Sequence, residues 1–219
     1  MLFRSQSGVF FRKQDIAGRR NLFMPVNKSV PDVAQKRKDW KGLMSGFKAS
    51  NLVFLDESGC NTDMTRRYAY SLGGSRAVDS APLSKPKNTT ILSSIQLDGT
   101  LRYTTFSGGT TVEKFKRYLE TDLLPHLDGN SVLIMDNMKS HHAKAVKNLL
   151  DSSGIRYIYL PPYSPDLNPI EKLWSKVKAL LRKFKARTLD ILPNAIQHAF
   201  QNISPSDCSG WFRLCEYAL

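Results

Sequence analysis

Three acidic residues stand where a carboxylate is costly or directed. Asp56 closes the apolar run Leu52-Val53-Phe54-Leu55, and Asp136 closes the run Val132-Leu133-Ile134-Met135. Glu171 comes just after PPYSPDLNP (161–169), in which four of nine residues are proline. A carboxylate at the end of a buried strand costs several kcal/mol unless it is paired or holds a cation. If the two strands are parallel neighbours, their ends lie about 4.8 Å apart, and two acids at that spacing repel. A divalent cation removes the repulsion. Oxygen-only ligands suit Mg²⁺ or Mn²⁺, with water and phosphate completing the shell. Loop arginines such as Arg66 or Arg67 could balance the charge instead. Each acid also has a plainer reading. Asp-Glu after a strand starts a turn, Asp136-Asn137 can cap a helix, and an acid in a first helical turn gains under about 1 kcal/mol from the dipole alone.

The elements that must position these acids follow from periodicity. NLVFLDES (51–58), SVLIMDN (131–137) and IRYIYL (155–160) read as buried strands. TTILSSIQLDGTLRYTTFSGG (89–109) has two β-rich runs around Asp98-Gly99, which favours a hairpin with a type I′ turn. Between the first strand and the hairpin, residues 59–88 are rich in Gly, Ser, Arg and Pro; they read as a long loop, with RYAYSL (67–72) a possible short strand. Helices are expected from Pro31, from Thr110 or Thr111, over 141–154 with Gly154 as C-cap, and over 168–184. In the last of these, Ile170, Leu173, Trp174, Val177, Leu180, Leu181 and Phe184 make one apolar stripe, with Asn168 as the expected cap. Two further helices are expected over 190–201 and 205–217. A hairpin followed by alternating helices and strands implies an α/β fold: a mixed central sheet of about five strands with helices on both faces. Residues 1–30 read as a basic, poorly ordered arm and 31–219 as one domain.

The 219 residues carry a net charge of +13, which points to a polyanionic partner, nucleic acid above all. Residues 172–187 alone hold seven Lys or Arg and no acid. Lys172, Lys176, Lys178, Arg182, Lys183, Lys185 and Arg187 are therefore candidate backbone-phosphate contacts, as are Arg66, Arg67 and Arg76 in the loop after Asp56; a merely solvated helix face is the alternative. No apolar run reaches the roughly 18 residues of a membrane span, and no secretory leader is recognisable. Three scattered cysteines fit neither a disulfide framework nor a zinc site and agree with a reducing cytoplasm. Ser58 and Ser140 lack a base and orienter for nucleophilic catalysis. His141 and His142 read first as residues at a helix start, with an approach to the DNA or the metal shell as the alternative, His126 and His198 as incidental, Asn137 as an orienter of Asp136, and Trp174 as core.

FLDESG (54–59), LIMDN (133–137) and LPPYSPDLNPIEKLWSKVK (160–178), with the closing SPSDCSGWFRLCEYA (204–218), resemble the catalytic core of the Tc/mariner superfamily of DDE transposases, in particular its bacterial insertion-sequence branch. Thirty-four residues lie between Asp136 and Glu171, the family's interval. The resemblance implies a ribonuclease H-like fold and an Asp56, Asp136, Glu171 triad. It also implies two Mg²⁺ ions, replaceable by Mn²⁺, with Asp56 shared and Asp136 and Glu171 holding one each. The activity implied is DNA cleavage and strand transfer at the ends of a mobile element, on double-stranded end and target DNA, by a homodimer, in the cytoplasm at the nucleoid. Full-length relatives carry an N-terminal helix-turn-helix region that this chain lacks, so an upstream-frame helix-turn-helix protein is a possible partner. Rival readings are another ribonuclease H-like nuclease, such as a junction resolvase or ribonuclease H, and a catalytically silent or truncated DNA-binding remnant.

Overall fold

A computed structural model of the chain describes residues 31–65, 71, 73, 76, 78, 80 and 86–217, with the backbone of 3–4 and 10–11. Those last four residues form two short antiparallel strands, β1 (Phe3–Arg4) and β2 (Phe10–Phe11). The rest of the expected arm, most of the possible strand 67–72, and Arg66 and Arg67 lie outside the described residues.

The principal sheet contains β3 (Leu52–Asn61), β4 (Asn88–Gln96), β5 (Leu101–Ser107), β6 (Val132–Met135) and β7 (Arg156–Tyr159). Its order is β5-β4-β3-β6-β7. The β3–β4 and β4–β5 pairs are antiparallel, and β3–β6 and β6–β7 are parallel. The expected mixed five-stranded sheet is therefore present, with β3 at its centre. Six helices accompany it: α1 (Pro31–Met44), α2 (Val112–Tyr118), α3 (Lys144–Ser153), α4 (Ile170–Phe184), α5 (Leu192–Gln201) and α6 (Pro205–Leu214).

Both faces of the inner strands β4, β3 and β6 are buried, and the alternation of side chains along a strand assigns each residue to one of them. Leu52 and Phe54 of β3, with Val132 and Ile134 of β6, pack in the core beneath α1, α4, α5 and α6. Val53, Leu55, Leu133 and Met135 pack in a second core with Phe115 and Tyr118 of α2 and Val146 and Leu150 of α3. Phe54 meets the α6 ring of Phe212 edge-on at 5.4 Å and the Tyr217 ring at 5.0 Å. A fully buried ring of this kind contributes about 1.5–3 kcal/mol by its area alone.

Local chemistry explains the ends of the elements. Thr111 caps α2, its Oγ1 accepting from the Lys114 N–H, and Gly154 leaves α3 at φ +70° as expected of a C-cap. The helix opening at α2 does not stay α-helical. It widens into a π turn over Leu119–Leu123 and ends in a 3-10 turn at Leu124–His126, where Pro125 has no N–H to give. The wide turn lets Tyr118, Leu119 and Leu123 all face the sheet.

The β4–β5 turn differs from the expected type I′. That type needs a positive φ at both central residues, and Asp98 has none. Instead Gly99 N–H donates to Gln96 O at 3.2 Å, Gly99 takes φ +93°, and Gln96 N–H donates to Thr100 O at 3.0 Å. This is a three-residue loop with a left-handed glycine. Asp98 stabilises it by accepting from the Thr100 N–H and hydroxyl at 2.8 and 3.0 Å. The loop packs on the start of α6: a Cβ on Gly99 would lie 2.9 Å from Pro205 Cα. Gly99→Ala should therefore lower the urea midpoint by the equivalent of about 1–3 kcal/mol, because backbone strain and a backbone clash coincide.

Candidate active site

The last paired rung between β3 and β6 is Leu55 with Met135. Asp56 and Asp136 are the next residue on each strand, so they emerge side by side where the parallel pairing ends. Alternation also puts both on the same side, that of Phe54, Ile134 and α4. Asp56 remains flanked by β4, opposite Ser93, whereas the chain leaves β6 at Asp136.

Glu171 reaches this edge because the segment before it is held from several directions. Leu160 N–H donates to Met135 O at 2.8 Å, and the Asn137 amide donates to Leu160 O. Arg37 of α1 donates to Ser164 Oγ and pairs with Asp166 Oδ2, both at 2.6 Å. Tyr217 OH donates to Leu167 O at 2.6 Å. The prolines limit the remaining freedom, Tyr163 takes the left-handed region at φ +55°, and α4 starts at Ile170. Asn168 does not cap α4 with its side chain. Its backbone carbonyl accepts from the Glu171 N–H at 3.1 Å, and its buried Oδ1 has no hydrogen-bond partner. Asp56, Asp136, Glu171 and Asn168 line one open cleft of about 430 Å³.

The three acids differ in environment. Burial, and then the charges of Asp136 and Glu171, push the Asp56 carboxyl up to about 7, against hydrogen bonds from Glu57 N–H at 2.8 Å and Trp174 Nε1–H at 3.1 Å. Burial also acts on Asp136, but the bond from His141, the Met138 N–H and the charges of both histidines outweigh it and leave this group below its ordinary value. Glu171 is raised by burial, with Lys178 and Lys172 opposing and Asp136 adding to it. His141 itself is pushed up to about 9: burial disfavours its charge, yet the bonds and charges of Asp136 and Glu57 prevail.

The basic candidates separate. The charges of Lys172 and Lys178 oppose the upward shift of Glu171. Lys176 is engaged by Asp207 at 2.6 Å, within the capping box that starts α6, and ties α4 to α6. Arg182 and Lys183 fall in the last turn of α4, Lys185 takes its left-handed C-cap, and Arg187 donates to Ser80 O at 2.9 Å. Arg76 is exposed. Asn137 does not bond Asp136. Trp174 as a donor and Glu57 were not visible beforehand, whereas an approach to the metal shell was the alternative reading of His141. Trp174 is core, as expected, but its indole N–H is aimed at Asp56. His141 precedes α3 and is fully buried, and Glu57 lies against it. The strand position of Glu57 carried a signal: next to Asp56 it must face the opposite core.

Residues 51–192 match the family described as DDE superfamily endonuclease, a span covering more than half of the chain and all three acids. The chain belongs to that family. Over 97 residues the chain is 27% identical to the transposable element Tc1 transposase of Caenorhabditis elegans, covering 42% of the chain and 36% of that protein. A pre-cleavage Mos1 transpososome superposes with a TM-score of 0.72 at 19% identity, over 85% of the chain and 60% of the Mos1 chain. The catalytic domain of Mos1 mariner transposase does so with a TM-score of 0.63 at 16% identity, over 84% and 89%. The fold is thus ribonuclease H-like. The chain spans well under two-thirds of the Tc1 relative and of the full Mos1 chain.

A divalent cation fits the cleft by the chemistry of its donors: carboxylate oxygens that repel one another, and the unpartnered Asn168 Oδ1 in the same wall. Among the described residues, no three His, Cys, Asp or Glu side chains already converge on one ion. Both Asp56 oxygens already accept a hydrogen bond, Oδ1 from the Glu57 N–H and Oδ2 from Trp174, and Asp136 Oδ1 accepts from the Met138 N–H. The raised Asp56 pKa carries a stability consequence. Between about pH 4 and 7 the folded state keeps this proton while the unfolded chain releases it, so folding loses stability as pH rises through that window. Asp56→Asn, denatured in EDTA, should be more stable than the parent protein at pH 8 by on the order of 1–3 kcal/mol, and the gain should vanish near pH 4.

Proposed function

We propose that this chain is the catalytic domain of a transposase that cleaves DNA at the ends of a mobile element and joins the freed ends to a target. The observation that carries the reading is the placement of Asp56 and Asp136 on one side of two adjacent parallel strands, with Glu171 brought to the same cleft by a braced proline segment. Membership of the DDE endonuclease family supports it, as does the likeness to Mos1, which has been crystallised in paired-end complexes with Mn and with Mg. Under this reading Asp56, Asp136 and Glu171 would hold the cations, Mg²⁺ with Mn²⁺ as substitute. When bound, such ions activate an attacking oxygen and neutralise charge on the phosphate and the leaving oxygen.

The residues of the chain supply position and field. Trp174 and the Glu57 N–H hold Asp56, and the loop anchored by Arg37 and Tyr217 sets the height of Glu171. In the first reaction water attacks a terminal phosphodiester, and a 3′-hydroxyl leaves. In the second that hydroxyl attacks a target phosphodiester, and a target 3′-oxygen leaves. One cleft serves both, because each is an in-line displacement at phosphorus by an oxygen. Lys172 and Lys178 at the rim, with Arg182 and Lys183 along α4 and Arg66 and Arg67 from the loop after Asp56, hold the sugar–phosphate backbone without reading bases. The partners on this reading are double-stranded end and target DNA, a second copy of the chain in the paired-end complex, and a helix-turn-helix protein that recognises the ends. The site of action is the nucleoid. Among the described residues, no helix is long and apolar enough to cross a membrane.

Asp56→Ala, Asp136→Ala and Glu171→Ala should each reduce Mg²⁺-dependent nicking of an element end by at least about 10³-fold, while circular dichroism and DNA retention in gel shifts stay near those of the parent. Retained nicking in any one variant removes that residue from the site. Lysines on the same helix should separate in a salt titration of DNA affinity. Lys178→Ala should reduce the slope of log K against log[salt] by about 1, the loss of one phosphate contact. Lys176→Ala should leave the slope unchanged and lower thermal stability instead, because its charge is spent on Asp207.

A further inference from the structure

The core between the sheet and α2 contains a charged group that packing does not call for. Val53 and Leu55, its neighbours on this side of β3, are apolar, yet the next position is Glu57. Its side chain is 9% exposed, and neither carboxylate oxygen has an aligned hydrogen bond. A buried carboxylate costs several kcal/mol without compensation. The compensating group is His141, with Nε2 3.3 Å from Glu57 Oε2, close enough for an ion pair although poorly aligned for a hydrogen bond. The other ring nitrogen, Nδ1, lies 2.9 Å from Asp136 Oδ1. The imidazole thus spans the sheet edge, from a glutamate on one side to a candidate metal ligand on the other.

The ring has little freedom to leave. It is fully buried and stacked on Phe115, with centroids 4.2 Å apart and planes 26° from parallel. Its backbone is fixed at both ends: His141 N–H donates to Met138 O at 3.0 Å, and His141 O accepts from Tyr159 OH at 3.0 Å. By contrast, the Asp136 side chain is 44% exposed and follows a strand that has already ended. Its Oδ1 accepts from Met138 N–H at 3.0 Å and lies within ion-pair distance of His141 Nδ1, which also meets the Asp136 backbone carbonyl at 3.3 Å. Carboxylates that ligate metals are themselves held by polar groups behind them, and loss of such outer partners weakens metal binding.

We propose that His141, backed by Glu57, is a positioning residue that holds the Asp136 carboxylate in the orientation required for binding a divalent cation. Glu57, against Nε2, fixes the tilt of the ring and so keeps Nδ1 turned toward Asp136. The inference rests on the reading of Asp136 as a metal ligand, and its test separates the two. Free Mn²⁺ is followed by electron paramagnetic resonance as the full chain, without DNA, is titrated with the ion, and each variant is also melted. His141→Phe keeps the stack on Phe115 but removes both donors, and should weaken Mn²⁺ binding about 10–100-fold. His141→Asn, whose amide N–H replaces Nδ1–H, should recover most of that loss. Because His141→Phe strands the Glu57 charge, Glu57→Leu/His141→Phe is the second arm. It should melt at or above the parent temperature, as apolar replacements of buried ion pairs do, and still bind Mn²⁺ weakly. A merely structural pair would not combine a preserved or raised melting temperature with lost metal affinity. Parent-like Mn²⁺ binding by the double variant, alongside weakened binding by Asp136→Ala, overturns the bridge alone. Parent-like binding by Asp136→Ala overturns the ligand reading and the bridge with it.

Discussion

The parallel pairing of β3 with β6 is the constraint from which the site follows. Its register sets Leu55 against Met135, so the two aspartates leave the ladder at the same rung. The two-residue period of a strand then decides the rest. One face takes Phe54, Ile134 and both aspartates, and the other takes Leu55, Met135 and Glu57. A slip of one residue between the strands would send one aspartate into the opposite core. The apolar residues before each acid guard against that slip, because every one of them would change sides too. Burying Val53, Phe54, Leu133 and Ile134 and holding two carboxylates together are therefore the same specification.

The arrangement works against stability where it serves chemistry. Asp56 is desolvated, faces two other acids, and has only an indole and one backbone N–H as donors. An asparagine would satisfy the fold better at neutral pH. The segment carrying Glu171 needs an equivalent outlay: an arginine from α1, a tyrosine from the end of the chain and several prolines hold one loop. Strain and repulsion concentrated at one edge of an otherwise apolar, well-packed sheet are characteristic of a functional site.

Much of this could be read from the residues. Strand–acid junctions are short-range patterns, and an apolar run followed by an acid announces both the strand and its exposed end. The α4 stripe and the Gly154 cap are equally local. What escaped depends on contacts between distant elements. Asn168 has the composition of a cap, but Pro169 behind it moves that role to a backbone carbonyl. Lys176 sits in a basic run, yet the capping box of α6 places Asp207 against it, 31 residues away. Trp174 was legible as core but not as a donor, since its acceptor lies 118 residues earlier. The Asp98-Gly99 pair marked a hairpin correctly, while the position of α6 and the asparagine-like bonding of Asp98 selected a longer turn.

The same reasoning explains how a chain of net charge +13 can hold an acidic cleft. At the cleft burial, reinforced by the charges of Asp136 and Glu171, raises Asp56, whereas Lys172 and Lys178 oppose the rise at Glu171. A polyanion drawn in by the overall charge would therefore meet lysines at the rim and repulsion at the centre. Phosphate could occupy that centre only together with cations, which couples substrate entry to metal binding electrostatically. Cations neutralise the acids for the phosphate, and the phosphate in turn supplies oxygens the cations need.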